Sequence, residues 1–142
     1  MDKNELILEN QLCFPLYAAS REVMKKYRPF LDDIGLTFTQ YVTMLVIWEN
    51  GEINSKELGD RLFLDSGTLT PVLKSLEAKG YLTRCRCKSD ERVLTVKVTD
   101  KGNELKNRAS DIPDRFSDCV KLTKDEAKTL RTLLNKLLDS RS

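Results

Sequence analysis

Four cysteines are the residues whose chemistry stands out, because the sequence contains no histidine. They are Cys13, Cys85, Cys87 and Cys119. Without histidine there is no Cys-His nucleophile pair, and the commonest metal ligand is missing. The C-x-C spacing of Cys85 and Cys87 also differs from the C-x-x-C of zinc and thioredoxin-like sites. These residues argue against a hydrolase or a zinc enzyme, and they predict neither a metal nor a cofactor.

Cys13 lies in a segment with helical apolar spacing, which predicts an amphipathic helix over residues 5–28. A free cysteine is often a small buried residue, and it can also be a reactive thiol. Pro15 leaves two further alternatives open. It either kinks a continuous helix and frees the carbonyl of Gln11, or it marks a helix that begins near Asn10. The second alternative places Cys13 in the first turn, where negative charge is stabilised.

Two tyrosines share the helix face of Cys13. Tyr17 and Tyr27 fall within about 40° of it at 100° per residue, and Tyr27 lies roughly 21 Å further along the axis. Tyr27 therefore cannot touch the Cys13 of its own chain. It could reach the Cys13 of a second chain if two such helices met antiparallel across a two-fold axis.

The composition suits one globular domain. The 142 residues are 40% hydrophobic and 32% charged, which is compatible with a packed core and a solvated surface. No apolar run approaches a membrane span, and the N-terminus lacks the order of a signal peptide. We therefore expect a cytoplasmic protein without a membrane partner, in a compartment where free thiols are the default.

Apolar periodicity predicts the elements that position these residues. A buried helix is expected over 39–49, and Asn54 with Glu57 marks the start of a short helix. After a turn at 63–65, a helix over 66–79 is followed by two strand-like runs, LTRCRCK and VLTVKVT, separated by SDER. One helix is expected to carry Leu105 through Cys119, and Thr123-x-x-Glu126 forms a capping box for a last leucine-rich helix.

A helix-turn-helix followed by a β-hairpin predicts a winged helix-turn-helix fold, mainly α with a small β-hairpin wing. The terminal helices carry more apolar surface than one small domain needs, which indicates dimerisation. We expect one domain over 1–142, with a winged-helix region at 36–100 and helical dimerisation regions at 1–35 and 101–142.

The winged-helix region is also the basic part of the chain. Residues 66–101 hold eight Lys/Arg and four Asp/Glu, a local charge of +4 within a net charge of +2. Such a distribution is typical of proteins that meet phosphates. Considered alone, the polar face of the helix and the basic face of the hairpin could each be an ordinary solvated surface and not a DNA-binding one. The candidate DNA-binding residues on the helix are Ser66, Thr68, Thr70, Pro71, Lys74 and Ser75, and those on the hairpin are Arg84, Arg86, Lys88, Asp90 and Arg92.

Three stretches resemble a known family. DSGTLTPVLKSLEAKGYLTR and SDERVLTVKVTDKG are similar to the MarR family of winged-helix transcription regulators, whose wing signature resembles the pair Asp90 and Arg92. LENQLCFPLYAASREVMKKYRPFL resembles the organic-hydroperoxide-sensing, OhrR-type branch and related staphylococcal-type thiol regulators. The resemblance implies a homodimer that binds a pseudo-palindromic operator in double-stranded DNA and releases it when an N-terminal cysteine is oxidised.

The resemblance also assigns the redox-sensing residues. It implies that Cys13 is the sensing thiol, that Tyr17 and Tyr27 match tyrosines that contact the thiol of the other subunit, and that Cys119 corresponds to a second cysteine forming an intersubunit disulfide. Phe38 is a departure, because this branch often carries a hydroxyl there and phenylalanine cannot donate to a thiolate. We expect no disulfide between Cys85 and Cys87, because residues i and i+2 of a strand lie roughly 6.6 Å apart along its axis. This separation is too large for a disulfide.

The resulting hypothesis is a DNA-binding regulator, not an enzyme, that acts as a repressor released by organic hydroperoxide or a related oxidant. Two rivals remain open. One is a MarR-type regulator that responds to a small phenolic ligand while Cys13 is merely buried. The other is a thiol redox enzyme, against which the absence of histidine and the DNA-binding module argue.

Overall fold

The computed structural model describes residues 3–86 and 93–139, with side chains from Glu5 onward. Two compact units are present, Met1–Ser110 and Asp111–Ser142. Residues 87–92 of the expected wing, which include Cys87, Lys88, Asp90 and Arg92, lie outside the described residues. Within the described ranges, no helix is long and apolar enough to cross a membrane.

The described residues form helices and a small sheet in the order expected for a winged helix. The elements are α1 (Cys13–Asp32), α2 (Phe38–Asn50), β1 (Glu52–Asn54), α3 (Ser55–Leu62), α4 (Ser66–Ala78), β2 (Leu82–Arg86), β3 (Leu94–Val98), α5 (Asp100–Ala109), α6 (Ile112–Asp118) and α7 (Lys124–Asp139). The predicted fold class, mainly helical with a small β wing, is confirmed.

The first long helix begins at Cys13, so the helix predicted over 5–28 is wrong at its start. Two short 3₁₀ turns, Lys3–Leu6 and Leu8–Asn10, come before it, and Gln11 is extended. Pro15 explains the boundary, because a helix continuing through Gln11 would bring the proline ring against the Gln11 carbonyl. In the first turn the missing N–H costs nothing, since those groups have no intrahelical acceptor. The second alternative for Pro15 therefore holds in placing Cys13 in the first turn, although the helix begins at Cys13 itself and not near Asn10.

Helix α2 is the buried centre of the first unit, as its apolar sequence predicted. Tyr41, Met44 and Ile47 are each at most 3% exposed. Thr37 and Gln40 form a capping box at its start, which satisfies two otherwise unpaired backbone donors. Gly51 ends the helix at φ 73°, a left-handed conformation that glycine adopts without a steric penalty.

The helix-turn-helix is defined by two side-chain caps. Asn54 Oδ1 accepts from the Glu57 N–H at 2.7 Å to start α3, as its spacing predicted. Asp65 Oδ1 accepts from the Thr68 N–H at 2.8 Å to start α4. A Cβ on Gly59 would lie 2.8 Å from the Leu64 carbonyl oxygen, so this close turn requires glycine.

The sheet contains one strand more than the expected hairpin. Its order is β1-β3-β2 and all pairs are antiparallel. The predicted hairpin pairs Cys85 with Thr95, and the short β1 pairs Glu52 with Lys97 on the other edge of β3. Val96 at the centre of β3 is fully buried, so the sheet packs one face on the helices of the first unit.

The single helix expected to run from Leu105 to Cys119 is wrong. It is two helices, with α5 ending at Ala109 and α6 starting at Ile112. Pro113 accounts for the break, because it cannot donate to the Ala109 carbonyl and its ring would clash with that group. Cys119 consequently lies just after α6 and not on the stripe of a long helix.

Helix α7 in the second unit starts at the predicted capping box. The Thr123 N–H donates to Glu126 Oε1 at 2.9 Å, and the Glu126 N–H donates to Thr123 Oγ1 at 3.1 Å. Four of its five leucines are exposed within this chain, among them Leu130 at 45%, Leu133 at 55% and Leu137 at 46%. An apolar stripe of this length on a surface helix marks an interaction site.

Candidate nucleic-acid interface and thiol site

The outer face of α4 carries most of the predicted DNA-binding residues. Ser66, Thr68, Pro71 and Lys74 are exposed. Asp65 caps the helix, and the hydrogen bonds that it accepts from Thr68 hold the pKa of its carboxyl below the usual range. The opposite face, with Leu69, Leu73 and Leu76, is buried. This surface is small, polar and basic, which suits close approach to a major groove.

Two hydroxyls on α4 already have partners in the protein. Thr70 Oγ1 donates to the Ser66 carbonyl at 2.7 Å. Ser75 is half-buried, and its Oγ accepts from Gln40 Nε2 at 2.9 Å. The Ser75 hydroxyl is thus directed toward α2 in the interior. The part of the predicted face that is open to a ligand is centred on Ser66, Thr68, Pro71 and Lys74.

Arg84 is held by Glu77 and not extended into solvent. Its Nη2 lies 3.0 Å from Glu77 Oε1, and its backbone N–H donates to Oε2 at 2.9 Å. Because β2 alternates, Arg84 shares a face with the buried Leu82, which packs toward α4. The hydrogen bonds that Glu77 accepts from Arg84 lower the pKa of the Glu77 carboxyl. Arg86 at the end of β2 is exposed, whereas Lys88, Asp90 and Arg92 lie outside the described residues.

Cys13 is the first residue of α1, and its side chain is exposed in the chain. No side chain caps this helix start, and its first turn carries no acidic residue. Unpaired N–H groups at a helix N-terminus favour a negative charge. The interpretation of Cys13 as a buried packing residue does not hold within this chain. Tyr17, one turn further on, is 59% exposed, and the Arg21 guanidinium lies 4.5 Å from its ring centre.

Tyr27 belongs to an aromatic cluster at the junction of α1 and α2. Its ring meets the edge of Phe38 at a centroid distance of 5.4 Å and lies 6.0 Å from the Tyr41 ring. Burial raises the pKa of the Tyr27 phenol. The pKa of Tyr41 is also raised, first by burial and then by repulsion from Tyr27. Both phenols are therefore neutral donors near pH 7.

Sequence reasoning missed Tyr41 and Gln40. Tyr41 reads as one more apolar residue of a buried helix, yet it places a second phenol beside Tyr27, close to the position where Phe38 lacks one. Gln40 was recognisable as a capping residue from Thr37-x-x-Gln40. Its contact with Ser75, 35 positions away, has no local signal.

Cys119 is exposed and follows α6 in the second unit, whereas Cys13 belongs to the first. Burial in a core thus does not hold for Cys119 either. Cys85 is exposed on β2, and Cys87 lies outside the described residues. In the described part of the chain, no cluster of three or more acidic or thiol side chains could hold a metal ion.

A groove of about 610 Å³ opens at the α1–α2 junction beside the aromatic cluster. Its lining combines apolar side chains with two basic ones and one acidic one, all three charged residues being on α1. The lining residues are Met24, Lys25, Arg28, Leu31, Asp32, Gly35, Leu36, Thr37 and Phe38.

A helix-turn-helix with a basic outer face, followed by a β wing, defines a DNA-binding transcription regulator of the winged-helix class. Residues 25–109 match the family of transcriptional regulators described as SarA/Rot, and the chain belongs to this family. The predicted resemblance to MarR-type regulators and the prediction that the protein is not an enzyme are both confirmed.

Relatives are similar over almost the whole chain. The organic hydroperoxide resistance transcriptional regulator of Bacillus subtilis is 44% identical over 133 residues, which cover 94% of this chain and 90% of the relative. The HTH-type transcriptional regulator SarZ of Staphylococcus epidermidis is 43% identical over 123 residues, covering 87% of this chain and 83% of the relative.

Solved structures of AbfR of Staphylococcus epidermidis are also similar. Reduced AbfR bound to DNA gives a TM-score of 0.83 at 32% identity, covering 99% of this chain and 96% of that chain. Overoxidized AbfR bound to DNA gives 0.80 at 35% identity and 98% coverage of both chains. Disulfide-formed AbfR gives 0.67 at 34% identity, covering 96% of this chain and 93% of that chain. The TM-score is thus higher for the two DNA-bound forms than for the disulfide form.

Proposed function

We propose that this regulator is a homodimeric repressor that binds a pseudo-palindromic operator and releases it when Cys13 is oxidised by an organic hydroperoxide or a related oxidant. The observation that carries the proposal is the exposed Cys13 at the uncapped start of α1, in a chain that also carries a winged helix-turn-helix. Action in the cytoplasm fits, because a reducing compartment keeps such a thiol ready to react.

The sensing step is a two-electron oxidation of sulfur. The Cys13 thiolate attacks the terminal oxygen of the hydroperoxide, an S–O bond forms, the O–O bond breaks, and the departing alkoxide takes up from solvent the proton that the thiol had released. The products are a sulfenic acid on Cys13 and one molecule of alcohol. A second thiol can then attack the sulfenic sulfur and expel water, which forms a disulfide.

Dimerisation would bring the sensing thiol to the tyrosines of a second copy. Within α1, Cys13 and Tyr27 are fourteen positions apart, roughly 21 Å along the axis. Exposed apolar side chains at Leu12, Phe14 and along α7 supply surface for a two-fold interface. The phenol hydroxyls of Tyr17 and Tyr27 would donate hydrogen bonds to the partner's thiolate.

Cys119 is the proposed resolving thiol, joining Cys13 of one protomer to Cys119 of the other. It is exposed, and Cys85 is placed on the wing strand, in the DNA-binding region. The existence of a disulfide-formed state of the relative AbfR supports such a step. A disulfide requires Cα atoms within about 7 Å, so closing it would reposition the helices that carry the two thiols.

DNA contact is assigned to the exposed outer face of α4 and to the wing. Ser66 and Thr68 at the start of α4 would reach base edges or phosphates, and Lys74 would neutralise a phosphate. Arg86 and the sequence-predicted Lys88 and Arg92 would follow the backbone or the minor groove. Arg84 acts indirectly, by fixing β2 to α4 through Glu77.

A mobility-shift series with operator duplex tests the proposal. Parent protein should bind when reduced, lose binding after cumene hydroperoxide, and regain it with dithiothreitol to the extent that oxidation stops at a disulfide or sulfenic acid. Cys13→Ser should bind but not release, since serine cannot form a sulfenic acid. Cys85→Ser, which removes another exposed thiol, is the matched control and should behave like the parent. An unchanged oxidant response in Cys13→Ser would contradict the proposal.

The groove at the α1–α2 junction favours one second candidate, control by a small aromatic acid. Its apolar side chains would take a ring, and Arg28 would pair with a carboxylate. This candidate requires operator release by such a ligand under reducing conditions, in parent and Cys13→Ser alike. Release by oxidant only, and only with Cys13 present, excludes it.

A further inference from the structure

The side chain of Gln40 lies at the junction between α2 and α4. It is 8% exposed. Its Oε1 accepts from the Thr37 N–H at 3.0 Å and from Lys79 Nζ at 3.3 Å, while its Nε2 donates to Ser75 Oγ at 2.9 Å. The opposite amide orientation would set the NH₂ group against two donors. The partners therefore fix the direction of every bond.

One end of this network touches the aromatic cluster. Gln40 caps the first turn of α2, and Phe38 is the first residue of that turn. Phe38 packs edge-on against Tyr27, the tyrosine assigned to the thiol site. A displacement of the Tyr27 ring therefore acts on the turn that Gln40 caps.

The other end of the network holds α4, the second helix of the helix-turn-helix. Ser75 follows the exposed Lys74 and lies one turn beyond Pro71 on α4. Lys79, just after α4, also donates to the Gly35 carbonyl at 2.7 Å, in the loop that precedes α2. The α1–α2 corner is thus tied to α4 at two positions about one helical turn apart.

We propose that Gln40 is the positioning residue through which the state of the Tyr27–Phe38 cluster sets the placement of α4 on DNA. The inference rests on the proposed function, because it needs an oxidation signal to transmit. A shift of the first turn of α2 must either carry Ser75 and Lys79 with it or leave buried polar groups unpaired, which is unfavourable. Tightly packed elements respond to a shift of this kind by moving as units between discrete arrangements.

The test compares two substitutions of matched size. Gln40→Met keeps the volume and removes all three hydrogen bonds. Gln40→Glu keeps acceptors for Thr37 and Lys79, and it can accept the Ser75 hydroxyl. The measured quantity is the ratio of the operator Kd after cumene hydroperoxide to the Kd before it, on a duplex selected from random sequence with reduced parent protein. This ratio reports coupling between the sites and not affinity in either state.

We expect Gln40→Met to lower the ratio by about tenfold or more and Gln40→Glu to stay within about threefold of the parent, since typical coupling spans 5–150-fold. Loss of a purely structural contact would change both Kd values together and leave the ratio unchanged. A parent-like ratio in Gln40→Met, when the parent itself releases DNA, overturns this inference alone. A parent ratio of one overturns the proposed function and the inference with it.

A second variant covers the case in which Gln40→Met does not fold. Ser75→Ala removes the hydrogen bond from Gln40 to a residue within α4, while the bond that Lys79 donates from just after α4 remains. Any direct effect of Ser75 on DNA enters both Kd values and cancels in the ratio. A lower ratio in Ser75→Ala supports the transmission role of Gln40, and an unchanged ratio overturns it.

Discussion

Arg84 and Glu77 join β2 of the wing to α4, the second helix of the helix-turn-helix. Arg84 Nη2 lies 3.0 Å from Glu77 Oε1, and the Arg84 backbone N–H donates to Oε2 of the same carboxylate at 2.9 Å. One carboxylate on α4 thereby fixes both the position of β2 and the direction of its arginine. The Arg84 guanidinium, which the sequence assigned to DNA, thus serves in this chain to hold β2 against α4.

The Glu77–Arg84 pair should make the stability of the fold sensitive to acid. Hydrogen bonds from Arg84 lower the folded-state pKa of Glu77. Its stabilising contribution is therefore present above the unfolded pKa and is lost as the pH falls through the folded pKa. Glu77→Gln should flatten the loss of unfolding free energy below about pH 4.5, measured by urea titration at several pH values. Glu104→Gln, at an exposed position on α5, is the control and should retain the parent's slope.

Lys74 and Arg84 should differ in the salt dependence of operator binding. Lys74 is exposed on α4, so Lys74→Ala should reduce the slope of log K against log salt by about one unit. Arg84 is occupied by Glu77, so Arg84→Ala should weaken binding through a displaced wing while leaving the slope near the parent value. Fluorescence anisotropy at four salt concentrations measures both. Equal slope changes in the two variants would refute the different roles assigned to these cations.

Gly102 should not tolerate a side chain. A Cβ there would lie 2.2 Å from the Tyr81 carbonyl oxygen and 2.8 Å from Val98 Cγ2. The Gly102 carbonyl also accepts from Trp48 Nε1 at 2.9 Å, so the backbone cannot move away without losing that bond. Gly102→Ala should cost about 1–3 kcal/mol of unfolding free energy, the usual range for overpacking.

Gly67→Ala is the matched control for Gly102→Ala. A Cβ at this position, in the first turn of α4, would meet only Asp65 Oδ1 at 3.5 Å, an ordinary contact. Thermal unfolding followed by circular dichroism compares the two variants. A Gly102→Ala protein as stable as Gly67→Ala would show that α5 can shift relative to β3 at no cost.

Oxidation should produce a covalent dimer that needs both Cys13 and Cys119. Parent and Cys85→Ser should run as dimers on non-reducing gels after hydroperoxide treatment, and peptide mapping should find Cys13 joined to Cys119. Cys13→Ser and Cys119→Ser should remain monomeric on the same gels. A covalent dimer that persists in Cys119→Ser would rule out this pairing. Operator release by oxidised Cys119→Ser would show that oxidation of Cys13 alone suffices.

Local signals predicted much of the fold. Helix caps occur at Asn54 and Thr123, and glycines end α2 and α4. These features depend only on neighbouring residues, so they can be predicted from the local sequence. The break at Pro113 was equally local and was overlooked, because the apolar spacing continues across it. The strand β1 has only three residues, too few for an alternating pattern to be visible in the sequence. It forms because it can pair with the free edge of β3.

Contacts between distant parts of the chain could not be predicted in the same way. The alternation of Arg84 with Arg86 correctly placed them on one face of β2, but whether that face meets DNA or α4 depends on tertiary packing. The amide of Gln40 meets Ser75 only because α2 and α4 cross there. The exposure of Cys13 depends on the helix start fixed by Pro15, for which sequence reasoning had kept two alternatives.

The central proposal is that oxidation of Cys13 causes operator release. Its most direct test follows both events in one reaction: the anisotropy of labelled operator reports release, and intact mass of acid-quenched samples with peptide mapping reports Cys13 oxidation. The two time courses should coincide at every hydroperoxide concentration, and the first product should be a sulfenic acid or a disulfide on Cys13. Operator release that runs ahead of Cys13 modification, or that proceeds while Cys13 stays reduced, would contradict it.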